Sequence, residues 1–199
     1  MIRPLIPLLV LLASPSVAAP ACPTKADAIS PGIRIGYRED PDAHFTITKD
    51  GTVIEVIAGD VAWRYESLQS VFLLRYGPSK NGVIYPEAME VANYEVPLSS
   101  LPEITEGLKW QGHVTYTNSG ETLWETDMAV AASPHPDLKL GDCGYKAILL
   151  TITEPTEEGP YVSYLAFLPE FGFGIRTGSF ADSYLDKTIP VSIGLIGDD

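Results

Sequence analysis

Between Gly141 and Thr177 the chain reads GDCGYKAILLTITEPTEEGPYVSYLAFLPEFGFGIRT, three β-branched, apolar and aromatic runs parted by TEEGP and LPEFG. That spacing predicts three antiparallel strands joined by two tight connections, and we take this stretch as the centre onto which the remaining strands pair. Within it, Tyr161, Leu165 and Phe167 share one parity, and Val162, Tyr164, Ala166 and Leu168 share the other. A strand apolar on both faces is covered on both sides, by protein or by an apolar ligand. In Phe171-Gly172-Phe173-Gly174-Ile175 the large side chains all fall on one face and the glycines on the other.

The same period of two recurs upstream. Gly32 to Tyr37 predicts a short strand, and His44 to Lys49 and Thr52 to Ala58 predict a hairpin about Asp50-Gly51, read as a type I′ turn. Val61 to Glu66 and Val71 to Tyr76 predict two more strands, the second ended by Gly77-Pro78. From Val83 to Glu106 the pattern weakens, and Pro86, Pro97 and Pro102 argue against a long helix or a central strand. This segment is expected to be a loop across one end of the sheet, with one helical turn near Ser99. Leu108 to Thr117 and Glu121 to Ala131 predict a second hairpin, and Ile189 to Ile196 a weak last strand. No segment carries a sustained i, i+3, i+4 apolar stripe. The expected fold is therefore all-β or β-dominated: an antiparallel meander forming a curled sheet, half-barrel or sandwich, with at most short helical turns.

The first 18 residues read differently. Arg3, the apolar run Leu5 to Leu12 and the small residues Ser16-Val17-Ala18 form the pattern of a cleaved signal peptide, leaving 19–199 as one β-rich domain. The run is too short to span a bilayer. A rival cut before Cys22 would make that residue the acylated end of a lipoprotein, but Ala19 is a poor match to the bulky residue such a site wants. Either way the expected location is periplasmic or secreted. In that setting the two cysteines, Cys22 and Cys143, predict one structural disulfide.

A formal net charge of −13 excludes nucleic acid as a partner, because the surface repels phosphates. The acids are scattered singly or in pairs, as on a solvated surface, and form no ligand-like cluster.

The Cys143-x-Tyr145 strand followed by the Leu168-Pro169-Glu170-Phe171-Gly172-Phe173-Gly174 hairpin resembles the last hairpin of small exported bacterial β-rich proteins of unknown function. The resemblance covers about 35 residues. It implies a half-barrel with an aromatic-lined concave face, and brings no catalytic residues with it.

Candidate chemistry is sparse. Of the three histidines, His44 and His113 fall on predicted strands and could meet an acid such as Asp127, while His135 lies between prolines in a loop. None has the spacing of a metal site built from one element, no cofactor motif is present, and no G-x-S-x-G elbow occurs. The expected function is a non-catalytic binding or envelope-associated domain. Its ligand would be a lipid, an apolar small molecule or a polypeptide, met by Trp110, Tyr116, Trp124, Tyr161, Tyr164, Phe167, Phe171 and Phe173. The alternatives are a hydrolase with a His/carboxylate site and a structural domain acting through an exposed strand edge.

Overall fold

The structure, a computed structural model, describes residues 21–197; the segment expected to be a signal peptide and Asp198-Asp199 lie outside them. After a five-residue helix, α1 (Lys25–Ile29), the regular structure is strand apart from two single 3-10 turns, Pro86–Ala88 and Leu98–Ser100. The strands are β1 (Ile33–Tyr37), β2 (Ala43–Ile47), β3 (Thr52–Ile57), β4 (Ala62–Leu68), β5 (Phe72–Lys80), β6 (Val83–Ile84), β7 (Glu90–Tyr94), β8 (Lys109–Asn118) and β9 (Glu121–Pro134). Then come β10 (Leu138–Leu140), β11 (Cys143–Tyr145), β12 (Ile148–Thr156), β13 (Gly159–Leu168), β14 (Phe173–Ala181), β15 (Tyr184–Asp186) and β16 (Pro190–Leu195).

One antiparallel sheet runs β15-β14-β13-β12-β9-β8-β7-β5-β4-β3-β2-β1-β16, with β6 attached to β5. Consecutive strands pair as a meander except where β9 reaches β12, β5 reaches β7, and β16 returns to β1. The opposite edges, β15 and β16, are joined through residues 187–189 alone. Such a link spans no more than about 14 Å, so the sheet must curl until its edges nearly meet. They do not pair, and the sheet stays open.

Four local expectations are corrected. The 141–177 stretch is not the centre: β12 to β14 lie toward one edge, and Cys143 belongs to a separate two-stranded hairpin, β10-β11. The 83–106 segment is not only a loop, because β7 bridges β5 and β8 within the sheet. Its five residues fit between Pro86 and Pro97, so neither proline removes a ladder donor. The Asp50-Gly51 turn has a positive φ only at Gly51 (86°), with Gly51 N–H donating to the Thr48 carbonyl at 3.0 Å. That is a longer loop ending in a left-handed glycine, not a type I′ turn. The type I′ geometry occurs instead at Asn81-Gly82, where both φ values are positive (53° and 76°) and β5 continues through Pro78 to meet it.

Two apolar clusters hold the curl. The first joins Ile33, Ile35, Phe45 and Val53 to Ala166, Leu168, Phe171, Phe173 and Ile175, with the β10-β11 hairpin and α1 packed in. The second gathers Phe72, Val114, Tyr116, Met128, Val130, Leu150, Ile152 and Phe167. Alternate residues of β13 thus enter different clusters, Ala166 and Leu168 the first and Phe167 the second. The two-faced apolar strand is covered on both sides by protein. The Cys22–Cys143 disulfide (Cα–Cα 5.6 Å) ties the segment before α1 to β11, and Tyr145 Oη donates to the Pro23 carbonyl at 3.1 Å beside it.

Candidate functional site

The register places one set of aromatic residues on the concave face, toward the end of the sheet that the clusters leave open. Tyr65 of β4 lies directly opposite Tyr76 of β5, and the rings stack with centroids 5.7 Å apart and planes 2° apart. Trp63, two residues before Tyr65 and so on the same face, stacks on both at 6.5 and 6.3 Å. Beyond β7 in the same sheet, Tyr116 of β8 faces Trp124 of β9 in register, with centroids 3.8 Å apart and planes 9° apart. The ladder and the pair differ from the core aromatics in one respect: Trp63 and Trp124 remain 40% and 39% exposed.

Carboxylates stand between them. Tyr76 Oη donates to Glu90, and Tyr116 Oη donates to Glu154 at 3.0 Å. Both phenols are pushed up, first by burial and then by these acids, with Glu154 acting on each. Burial raises the Glu154 carboxyl, and the Tyr116 hydrogen bond partly offsets it. Each phenol thus has its own carboxylate, Glu90 for Tyr76 and Glu154 for Tyr116, and the charge of Glu154 reaches both.

Deeper in lies a charged centre. Glu55 of β3 and Arg176 of β14 approach across the curl, joined by Tyr37, Tyr65 and Tyr161. Burial pushes the Glu55 carboxyl up to about 7 against the pull of Arg176. Arg176 is walled by strands yet its surface is open to water, and it has no ion-pair partner among the described residues. Two small cavities flank the pair. One of about 140 Å³ is lined by Tyr37, Ala43, Ile57, Thr188 and the acids Asp40 and Asp186 as well as by the pair. The other, of about 130 Å³, is lined by Tyr65, Ser70, Val71, Leu73, Ile152, Ser163 and Leu165 besides the pair. Each holds one buried hydroxyl with no hydrogen-bond partner, Tyr37 Oη in the first and Ser70 Oγ in the second.

The eight aromatic residues expected from the sequence do not form one surface. Tyr116 and Trp124 are the stacked pair just described, and Tyr161 borders the charged centre beside Arg176. Trp110 folds back over Gly112, where an added Cβ would come within 2.6 Å of its ring, and packs edge-on to Phe72 at 5.0 Å. Tyr164 has the opposite parity to Tyr161 and points to the outer face. Phe167, Phe171 and Phe173 are buried in the clusters, so these three are core and present no surface to a ligand. Missing from the sequence reading were Trp63, Tyr65, Tyr76, Glu55 and Arg176. The Trp63-x-Tyr65 alternation in VAWRYE is the signal that could have found the first two.

His113 does meet an acid. It lies directly opposite Asp127, with Nδ1 to Oδ1 at 2.9 Å, and its Nε2 is 3.6 Å from Glu125. All three project from the outer face, where Asp127 and Glu125 are exposed. His44 is on β2, distant in the strand order, and no group of three metal-ligating side chains occurs among the described residues. Nor is any helix there long and apolar enough to cross a membrane. No family model, curated protein or solved structure matches the chain.

Proposed function

We propose that the protein is an exported, non-catalytic binding module that takes a polypeptide segment on the aromatic open end of its curled sheet. The observation that carries this reading is the pair of indoles, Trp63 and Trp124, each about two-fifths exposed on the concave face and backed by stacked tyrosines. Rigid aromatic rings with one free face are the anchors that polypeptide recognition favours. The two spaces beside the charged centre, about 140 and 130 Å³, fall short of the roughly 300–1,000 Å³ of small-molecule sites, which counts against a lipid chain held there. A net charge of −13 and the nearby Glu90 and Glu154 favour a basic segment. Export is supported by the signal pattern and by a disulfide of the kind that oxidising compartments preserve.

The test uses Trp110→Phe protein, whose remaining indoles are Trp63 and Trp124. Titration with a reduced, alkylated basic polypeptide should shift their emission to the blue, and replacing both by Ala should weaken binding about tenfold or more. Unchanged affinity in the double variant, or a shift produced only by fatty-acid vesicles, would refute the reading.

A further inference from the structure

We infer that Arg176 anchors a small organic monocarboxylate in the cavity on its Ser70 side, a site independent of the polypeptide-binding reading above. The argument begins with the guanidinium. It is charged at every accessible pH and carries five N–H donors in a fixed fork suited to a carboxylate. Here it lines both flanking spaces with its surface exposed, hydrogen-bonded to Tyr65 and without an ion-pair partner among the described residues.

The two cavities differ in what else they carry. The Tyr37 side adds Asp40 and Asp186 to Glu55, and three acids against one arginine repel an anion. The Ser70 side sets Arg176 against Glu55 alone, and supplies hydroxyls from Ser67, Ser70, Ser163 and Tyr65. Ser70 Oγ is buried without a partner, so a donor stands ready there at no cost in broken contacts. Its remaining wall is Val71, Leu73, Ile152 and Leu165, an apolar lining. Polar atoms at one end and aliphatic carbons at the other match a molecule with a carboxylate head and a short hydrocarbon body. The volume of about 130 Å³ sets the size, since an apolar cavity of about 150 Å³ takes up benzene. A carboxylate side chain offered by a polypeptide shares the head-group chemistry but brings a backbone too large for a space of about 130 Å³.

The experiment is titration of the full mature chain, followed by ¹⁵N–¹H spectra and calorimetry, with butyrate, benzoate, benzamide and a Glu-containing pentapeptide. Butyrate or benzoate should bind and shift the Ser70, Leu165 and Arg176 amides, while benzamide and the pentapeptide should not. Arg176→Gln should weaken the acid about tenfold or more, Arg176→Lys should recover only part, and Glu55→Gln, which removes the competing carboxylate, should tighten it. Equal shifts from benzoate and benzamide, binding of the pentapeptide alone, or no shift from either acid would overturn the assignment. Those wild-type comparisons decide the matter even if the Arg176→Gln protein does not fold.

Discussion

Phe45 and Phe173 stack with ring centroids 4.6 Å apart and planes 2° apart, although eight strands lie between β2 and β14 in the sheet order. The contact is thus made by the curl, not by strand pairing. Both rings are fully buried, and Phe171 extends the stack at 5.3 Å. Truncating either ring to Ala should cost about 3–5 kcal/mol, the usual loss for a core phenylalanine. The double variant should lose less than the sum, by about 0.5–1.5 kcal/mol of coupling. Urea unfolding of the four proteins measures this, and strictly additive losses would show that the stack does not hold the overlap.

The disulfide closes a loop of 121 residues onto the small β10-β11 hairpin, which is itself part of the first cluster. In the chain-entropy account such a loop contributes about 4–5 kcal/mol, mostly by restricting the unfolded chain. Cys22→Ser/Cys143→Ser protein should therefore unfold at markedly lower urea, while its far-ultraviolet spectrum stays that of strand. An unchanged midpoint would mean that Tyr145, bonded to the Pro23 carbonyl, secures the segment without the covalent tie.

Strand content and the apolar parity of β13 were legible because alternation is a local property, readable over five residues. What faces a given side is not local. The parity of Ala166 and Leu168 says only that they share a side; that the side meets Ile33 and Phe45 depends on how far the sheet rolls. The same gap hid the charged centre, since Glu55 and Arg176 belong to strands that never pair and show no motif in sequence. Segment 83–106 misled for another reason. Its prolines argue against a long helix or a central strand, yet they bracket β7 and leave its ladder intact. Among the aromatics, a phenylalanine in a glycine-rich hairpin and a tryptophan at a strand end look alike in sequence, but only the second reaches solvent.

His113 is held above its ordinary range, first by the hydrogen bond with Asp127 and then by Coulomb attraction to Glu95, Asp127 and Glu125, with partial desolvation opposing. A raised histidine binds its proton more tightly folded than unfolded. Its contribution to stability is thus present below the unfolded value, near 6.5, and is lost as pH rises through the folded one. In ¹H NMR the His113 ring should titrate above the ordinary histidine value of 6.5, and Asp127→Asn should lower its midpoint. A midpoint indifferent to that substitution would dissolve the pair. With it would go the last structural support for a hydrolase built on this histidine.

Glu55 runs the opposite way to most carboxyls. Burial raises it from 4.5 to about 7, and Arg176 only partly restores the charged form. Its charge is felt in turn by Tyr37 on β1 and Tyr65 on β4, which line the cavities on its two sides, the first of them shared with Asp40 and Asp186. Between pH 4.5 and about 7 the folded protein keeps a proton that the unfolded chain has released. Stability from this group is accordingly full below 4.5 and declines as pH rises through about 7. Glu55→Gln has no charge to desolvate, so it should be more stable than the parent at pH 8, with the advantage vanishing below pH 4.5. Unfolding midpoints of both proteins across that range decide it. A difference that stays constant with pH would place the Glu55 carboxyl in bulk-like solvent, and the charged centre would lose its buried acid.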